Sequence, residues 1–168
     1  GRSSLVRRGL LPALRRGRLP GSETWQLDLY MVPGSDPLSS LAELLRPRDL
    51  QDVGWAQQQV QQLHQDPGHL GRLLHAAGDQ TAVLVVDQFE QVFTRCDKQD
   101  RQAFVDNLLH LIHEPDSRDA VVLIMRSDLV SYISQIEPLQ PVFQKGQVFV
   151  AFTTSELRQA IEEPAKRV

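Results

Sequence analysis

Two uninterrupted aliphatic runs, Thr81-Ala82-Val83-Leu84-Val85-Val86 and Ala120-Val121-Val122-Leu123-Ile124-Met125, leave this chain few ways to fold. A strand with one wet face alternates polar and apolar side chains. A strand apolar at every position is buried on both faces, as in parallel sheets covered by helices. Helical spacing surrounds the runs: Leu70, Leu73, Leu74 and Ala77 precede the first, and Phe104, Leu108, Leu111 and Ile112 lie between the two. Parallel strands need crossover helices, so this order predicts an α/β layered fold with a parallel sheet flanked by helices.

The remaining elements fit that plan. Residues 25–32, from Trp25 to Val32, alternate partially and stop at Pro33-Gly34, which predicts a half-buried strand. Leu5, Leu10, Leu11 and Leu14 share a helical face, predicting a helix over 3–11 that Pro12 interrupts. Ser35-Asp36-Pro37 supplies a cap and a first-turn proline for a helix over 38–45. Further helices are predicted over 54–64, with a glutamine-rich polar face, over 101–113 and over 132–136. A last strand is predicted over 147–152, and a closing helix over 156–162 ends at Pro164.

At 168 residues the chain has the size of one domain, and its 41% hydrophobic and 23% charged content is that of a soluble globular protein. No apolar stretch approaches the roughly 20 residues that span a bilayer. The single cysteine, Cys96, excludes an internal disulfide and a cysteine-based zinc site, which suits a reducing cytoplasm, the expected location. Net charge is −3, yet residues 1–18 hold a cluster of Arg and no acid. Such asymmetry fits nucleic-acid binding or a helix that follows a phosphate loop. Aromatics at 6% provide no stacking platform for single strands, and the chain lacks a helix-turn-helix pattern, which ranks DNA binding last. His64, His69, His75, His110 and His113 form no H-E-x-x-H and read as surface residues. No G-x-S-x-G occurs.

Candidate chemistry sits at three places. Gly1-Arg2-Ser3-Ser4 reads as the second half of a phosphate-binding loop of the form G-x-x-x-x-G-K-[ST], in which backbone N–H groups wrap phosphates, a cation reaches their oxygens and a hydroxyl holds Mg²⁺. On this reading the first strand and the first half of the loop are missing, and the chain is a fragment. Asp87 directly follows four buried aliphatics, where a rigid, poorly solvated carboxylate suits a divalent cation; otherwise it begins a turn. Glu90 either activates water or is a helix-start acid favoured by the dipole, with Gln88 occupying the place directly after Asp87. Arg126 ends the second apolar run, where it either reads a terminal phosphate or pairs with Asp128.

Taken in series, Gly1-Arg2-Ser3-Ser4-Leu5-Val6, Val85-Val86-Asp87-Gln88-Phe89-Glu90, Leu123-Ile124-Met125-Arg126-Ser127-Asp128 and Leu157-Arg158-Gln159-Ala160-Ile161-Glu162-Glu163-Pro164-Ala165 resemble the bacterial STAND ATPases, in particular the novel-STAND group often joined to WD-type repeats. The resemblance implies a P-loop NTPase-like core over residues 1–152 and the beginning of a helical lid over 153–168. It implies ATP and Mg²⁺ as ligands: Gly1, Arg2, Ser3 and Ser4 at the phosphates, Ser3 and Asp87 at the metal, and Glu90 and Arg126 in catalytic positions. It further implies a signalling switch that governs effector assembly, with self-association and with effector or sensor modules in the same parent chain. The family has Lys where this chain has Arg2, so hydrolysis is expected to be slow and regulatory, in the intact parent and not in the fragment. The alternative expectation is a degenerate, non-hydrolysing scaffold for protein–protein contacts.

Overall fold

The computed structural model describes residues 2–76 and 78–144. The strand expected over 147–152, the helix over 156–162 and the lid over 153–168 lie outside the described residues.

The chain begins with α1 (Arg2–Leu5), which continues through a π-helical turn, Val6–Leu10, into α2 (Leu11–Arg15). The Leu11 N–H reaches back five residues to the Val6 carbonyl. Pro12 thereby falls in the first turn of a new α segment, where its missing N–H is tolerated. The helix therefore runs past Leu11, where Pro12 was expected to interrupt it. Gly17, at φ 71°, makes the left-handed turn that ends it.

There follow β1 (Gln26–Met31), α3 (Pro37–Leu44), α4 (Trp55–Gln65), α5 (His69–His75), β2 (Ala82–Asp87), α6 (Gln91–Thr94), α7 (Lys98–His113), β3 (Ala120–Ile124), α8 (Ser127–Ile133) and α9 (Gln140–Gln144). Two side chains set helix starts as the sequence predicts or earlier. Asp36 accepts the Ser39 N–H at 2.9 Å to cap α3. Asp97 accepts the N–H groups of Gln99 and Asp100, which starts α7 three residues before Arg101. The short helix expected over 132–136 instead begins at Ser127, because Leu129, Val130 and Ile133 form a stripe against the core.

The sheet order is β1-β2-β3 and both pairings are parallel. All six residues of β2 are buried, and they divide by parity. Ala82, Leu84 and Val86 join a core built with α3, α4, α5 and α7 around Phe89 and Phe104. Val83 and Val85 face the other way, against Val6, Leu11 and Leu14 of the amino-terminal helix. This is the α/β fold with helices on both faces that the apolar runs predict. The second run is less buried than the first: β3 has one strand neighbour among the described residues, and Val121, Val122 and Leu123 are half-buried.

In β1 the register shifts between Gln26 and Leu29. A bulge of this kind reverses the alternation of faces. Leu27 packs with the amino-terminal helix, Leu29 and Met31 pack into the opposite core, and Tyr30 returns to the side of Leu27.

Two polar contacts fasten the helical layer. Asn107 is fully buried, donates to the carbonyls of Leu63 and Ala103 at 2.8 Å each, and accepts the Leu70 N–H at 3.3 Å, so one side chain ties α4, α5 and α7 together. Truncating it strands buried backbone groups. Asn107→Ala is expected to lower unfolding free energy by about 2–3 kcal/mol in urea titrations. An unchanged midpoint would refute the role.

At the amino ends of the strands, Asp119 accepts from the His75 ring at 2.6 Å, from the Ala82 N–H at 2.8 Å and from the Ser117 hydroxyl at 3.0 Å. The Asp119 hydrogen bond raises the His75 pKa above its ordinary value. Stability from this pair is complete below the unfolded value of about 6.5 and fades as pH rises through the higher folded value. His75→Gln should therefore destabilise strongly at pH 6 and weakly at pH 9. Equal losses at the two pH values would show that the pair carries no linked charge.

Candidate functional site

The parallel sheet brings three strand ends to one edge. Asp87 closes β2 in register with Ile124 of β3, and β1 ends alongside at Met31, which pairs with Val86. Loops beyond such ends form the crevice in which open α/β sheets take ligands.

Asp87 is 4% exposed. A buried carboxylate needs donors, and two are supplied. The Gln88 N–H donates to Oδ1 at 2.9 Å, and the Tyr30 hydroxyl donates to Oδ2. Burial first, then the Asp87 carboxylate, push the Tyr30 pKa above the ordinary tyrosine value, so the phenol stays protonated and donating. Ser3 and then Arg7 act in the opposite direction on the same phenol. The Arg7 guanidinium lies over the Tyr30 ring, 3.9 Å from its centre. The amino-terminal helix thus delivers Ser3 and Arg7 to the β1–β2 edge.

A second group stands beyond the strand ends. Gln88 adopts the left-handed backbone at φ 56°, a strained conformation for a side chain of its kind. Its side chain accepts from Gln91 at 2.7 Å, and Gln91 in turn accepts the Gly34 N–H at 3.1 Å, so two glutamines link the β1 and β2 loops. The Phe89 N–H donates to the Ile124 carbonyl at 2.9 Å, fixing the β2 loop to β3. Glu90 precedes α6, and its Oε2 is shielded from solvent without a hydrogen-bond partner. Arg126 feels Glu90 but is engaged by Asp128, through Nε at 3.1 Å and a terminal nitrogen at 2.7 Å.

The structure therefore brings Tyr30 and Arg7 to Asp87, with Ser3 on the same helix as Arg7, and Glu90 bears on Arg126 electrostatically. Ser4 is exposed, Arg2 opens α1, and Gly1 lies outside the described residues. Of the two roles weighed for Arg126, the pairing with Asp128 is the one formed here. Of the histidines, His110 and His113 are exposed as expected, whereas His64, His69 and His75 are half-buried and partnered: His64 pairs with Asp100 at 2.9 Å, His75 with Asp119, and His69 with Gln59 at 2.8 Å. Burial, then Asp100 and Asp97, push the Cys96 thiol up to about 11, far from a reactive thiolate.

Tyr30, Arg7 and Gln91 carry site contacts that the sequence reading passed over. The signal for Tyr30 was weak. It is a tyrosine one residue from the end of β1, and the bulge that turns it toward Asp87 leaves no mark in the hydropathy pattern.

Among the described residues no cluster of three or more His, Cys, Asp or Glu could hold a metal ion. Ser3 and Asp87 offer hard oxygens of the kind Mg²⁺ takes alongside water and phosphate, and Glu90 carries an oxygen without a hydrogen-bond partner. A cavity of about 640 Å³ lined by Pro20, Trp25, Asp79, Thr81 and Arg118 lies instead at the amino ends of the strands, away from all of these groups.

The whole chain, residues 1–168, matches the family model described as Novel STAND NTPase 1. The chain belongs to that family. No match was found among curated proteins or among solved structures. As a STAND-class NTPase module it has the parallel, helix-flanked α/β sheet of a nucleotide-binding domain. Among the described residues no helix is long and apolar enough to cross a membrane.

Proposed function

We propose that this STAND NTPase module is an ATP-dependent conformational switch for effector assembly, acting in the cytoplasm, with Asp87 and Ser3 holding Mg²⁺ and Arg126 reading the γ-phosphate. The observation that carries this reading is the buried Asp87 carboxylate at the carboxyl edge of a parallel sheet, joined to Tyr30 beneath the helix that begins with Arg2 and Ser3. Bound there, Mg²⁺ would bridge phosphate oxygens and neutralise their charge. The chain's own residues do the rest. Asp87 holds negative charge where water cannot compete. On this reading Gly1, Arg2, Ser3 and Ser4 bind the phosphates, and Arg126 exchanges Asp128 for a phosphate that it can also hold in a bidentate manner. Glu90 sits at the start of α6, placed to accept a proton from an attacking water.

Turnover is slow on this reading. Gln88, not a carboxylate, directly follows Asp87, and Arg2 replaces the usual lysine with a planar fork. The core extends over residues 1–152 and a helical lid begins at 153. Self-association, and effector or WD-type sensor modules in the same parent chain, supply the partners.

A second reading, a non-hydrolysing scaffold for protein contacts, is favoured by one observation: Asp128 holds Arg126 through two hydrogen bonds. Titration of a fluorescent ATP analogue into the full-length protein, with and without Mg²⁺, separates the two. Asp87→Ala should abolish the Mg²⁺-dependent part of binding, and Arg126→Ala should erase any preference for ATP over ADP while leaving ADP binding intact. Binding unchanged by Asp87→Ala would refute the metal assignment, and absence of binding in a folded protein would establish the scaffold.

A further inference from the structure

The Tyr30 hydroxyl has an unusual position for a strand tyrosine. It donates to Asp87 Oδ2, and the half-buried ring is pinned beneath the Arg7 guanidinium at 3.9 Å. Three features put it there. The register shift in β1 turns the ring to the face of the amino-terminal helix. Parallel pairing of Tyr30 with Val85 sets it two residues short of Asp87 along β2. Val6, packed in the same apolar cluster, holds the helix that carries Ser3 and Arg7.

We propose that Tyr30 is a latch on the metal site: its hydroxyl donates to the Asp87 oxygen that a divalent cation would take, so the ion gains that oxygen only by displacing it. The proposal rests on the reading of Asp87 as the metal-holding acid. A phenol that donates its proton to a carboxylate oxygen occupies the lone pair a cation needs there. The cation offers Asp87 a stronger partner but must first break this bond and approach the positive charge of Arg7. A bare cation is therefore selected against. A cation that arrives with phosphates has its charge offset, and the phosphates give Arg7 a partner in exchange for the ring. The latch thus makes the site discriminate in favour of a cation–polyphosphate complex over the free ion, and keeps the buried carboxylate satisfied when nothing is bound.

Tyr30→Phe removes the hydroxyl and keeps the ring under Arg7. The probe is Mn²⁺ alone, titrated into the full-length protein without nucleotide and followed by the loss of its free electron-spin-resonance signal. The expected result is about tenfold tighter Mn²⁺ binding in Tyr30→Phe than in the unmodified protein. Equal or weaker binding would overturn the latch, as would absence of binding in both proteins. A second readout does not depend on the variant folding normally. With ring-labelled tyrosine, the Tyr30 ζ-carbon resonance should move on addition of Mg²⁺ while that of the exposed Tyr132 stays fixed. A Tyr30 resonance unmoved by saturating Mg²⁺ would overturn displacement. Asp87→Asn serves as the control. If it leaves Mn²⁺ binding intact in both backgrounds, the assignment of Asp87 fails and the latch with it. If it abolishes binding while Tyr30→Phe has no effect, the metal site stands and only the latch is lost.

Discussion

Burying one carboxylate organises this molecule. Asp87 is 4% exposed at the end of a strand whose six residues are all buried. A charge in that setting survives only with donors, and no helix of the large core provides one. The donors come from its own loop, through the strained Gln88 backbone, and from the opposite face, through Tyr30. The second is available only because the amino-terminal helix covers that face. Val6, Leu11 and Leu14 pack on Val83 and Val85, and Arg7, next to Val6, then falls over the Tyr30 ring. The packing that hides β2 from water is thus the packing that assembles the site.

How far the sequence discloses this depends on the range of each interaction. An aliphatic run carries its own burial, so β2 and its end at Asp87 are legible residue by residue. Asp36 and Asp97 lie within three residues of the N–H groups they cap, and α3 and α7 start accordingly. What joins distant residues is silent in one chain. Tyr30 and Asp87 are 57 residues apart, His75 and Asp119 are 44 apart, and each pair meets only once parallel strands have set the register. The bulge in β1 is harder still, since it reverses faces without changing composition. Pro12 misled for a related reason. Helical rules read proline as a break, whereas the π-helical turn before it, by closing five residues apart, lets the axis continue.

β3 shows a different limit. Its five residues are as apolar as those of β2, and hydropathy alone assigns both the same place. Yet β3 lies at the side of the described sheet, and Val121, Val122 and Leu123 keep part of their surface. An apolar strand states that it can be buried on both faces, not how many neighbours flank it.

The two polar pairs at the carboxyl edge of the sheet differ in how firmly they are held. Arg126 and Asp128 are more than half exposed, so their pairing is screened by water and is readily exchanged. Tyr30 packs in the apolar cluster of the amino-terminal helix and Asp87 is buried, so separating them disturbs the contact of that helix with β1. On the function proposed above, a ligand's outer phosphate would engage Arg126 with little rearrangement of the fold, whereas its metal-binding end would have to shift Tyr30, Arg7 and the helix that carries Arg7. Only the second event would reach the protein's framework. In a switch built this way, capture of the ligand and commitment to a new conformation would be separate steps, the second decided at the buried carboxylate.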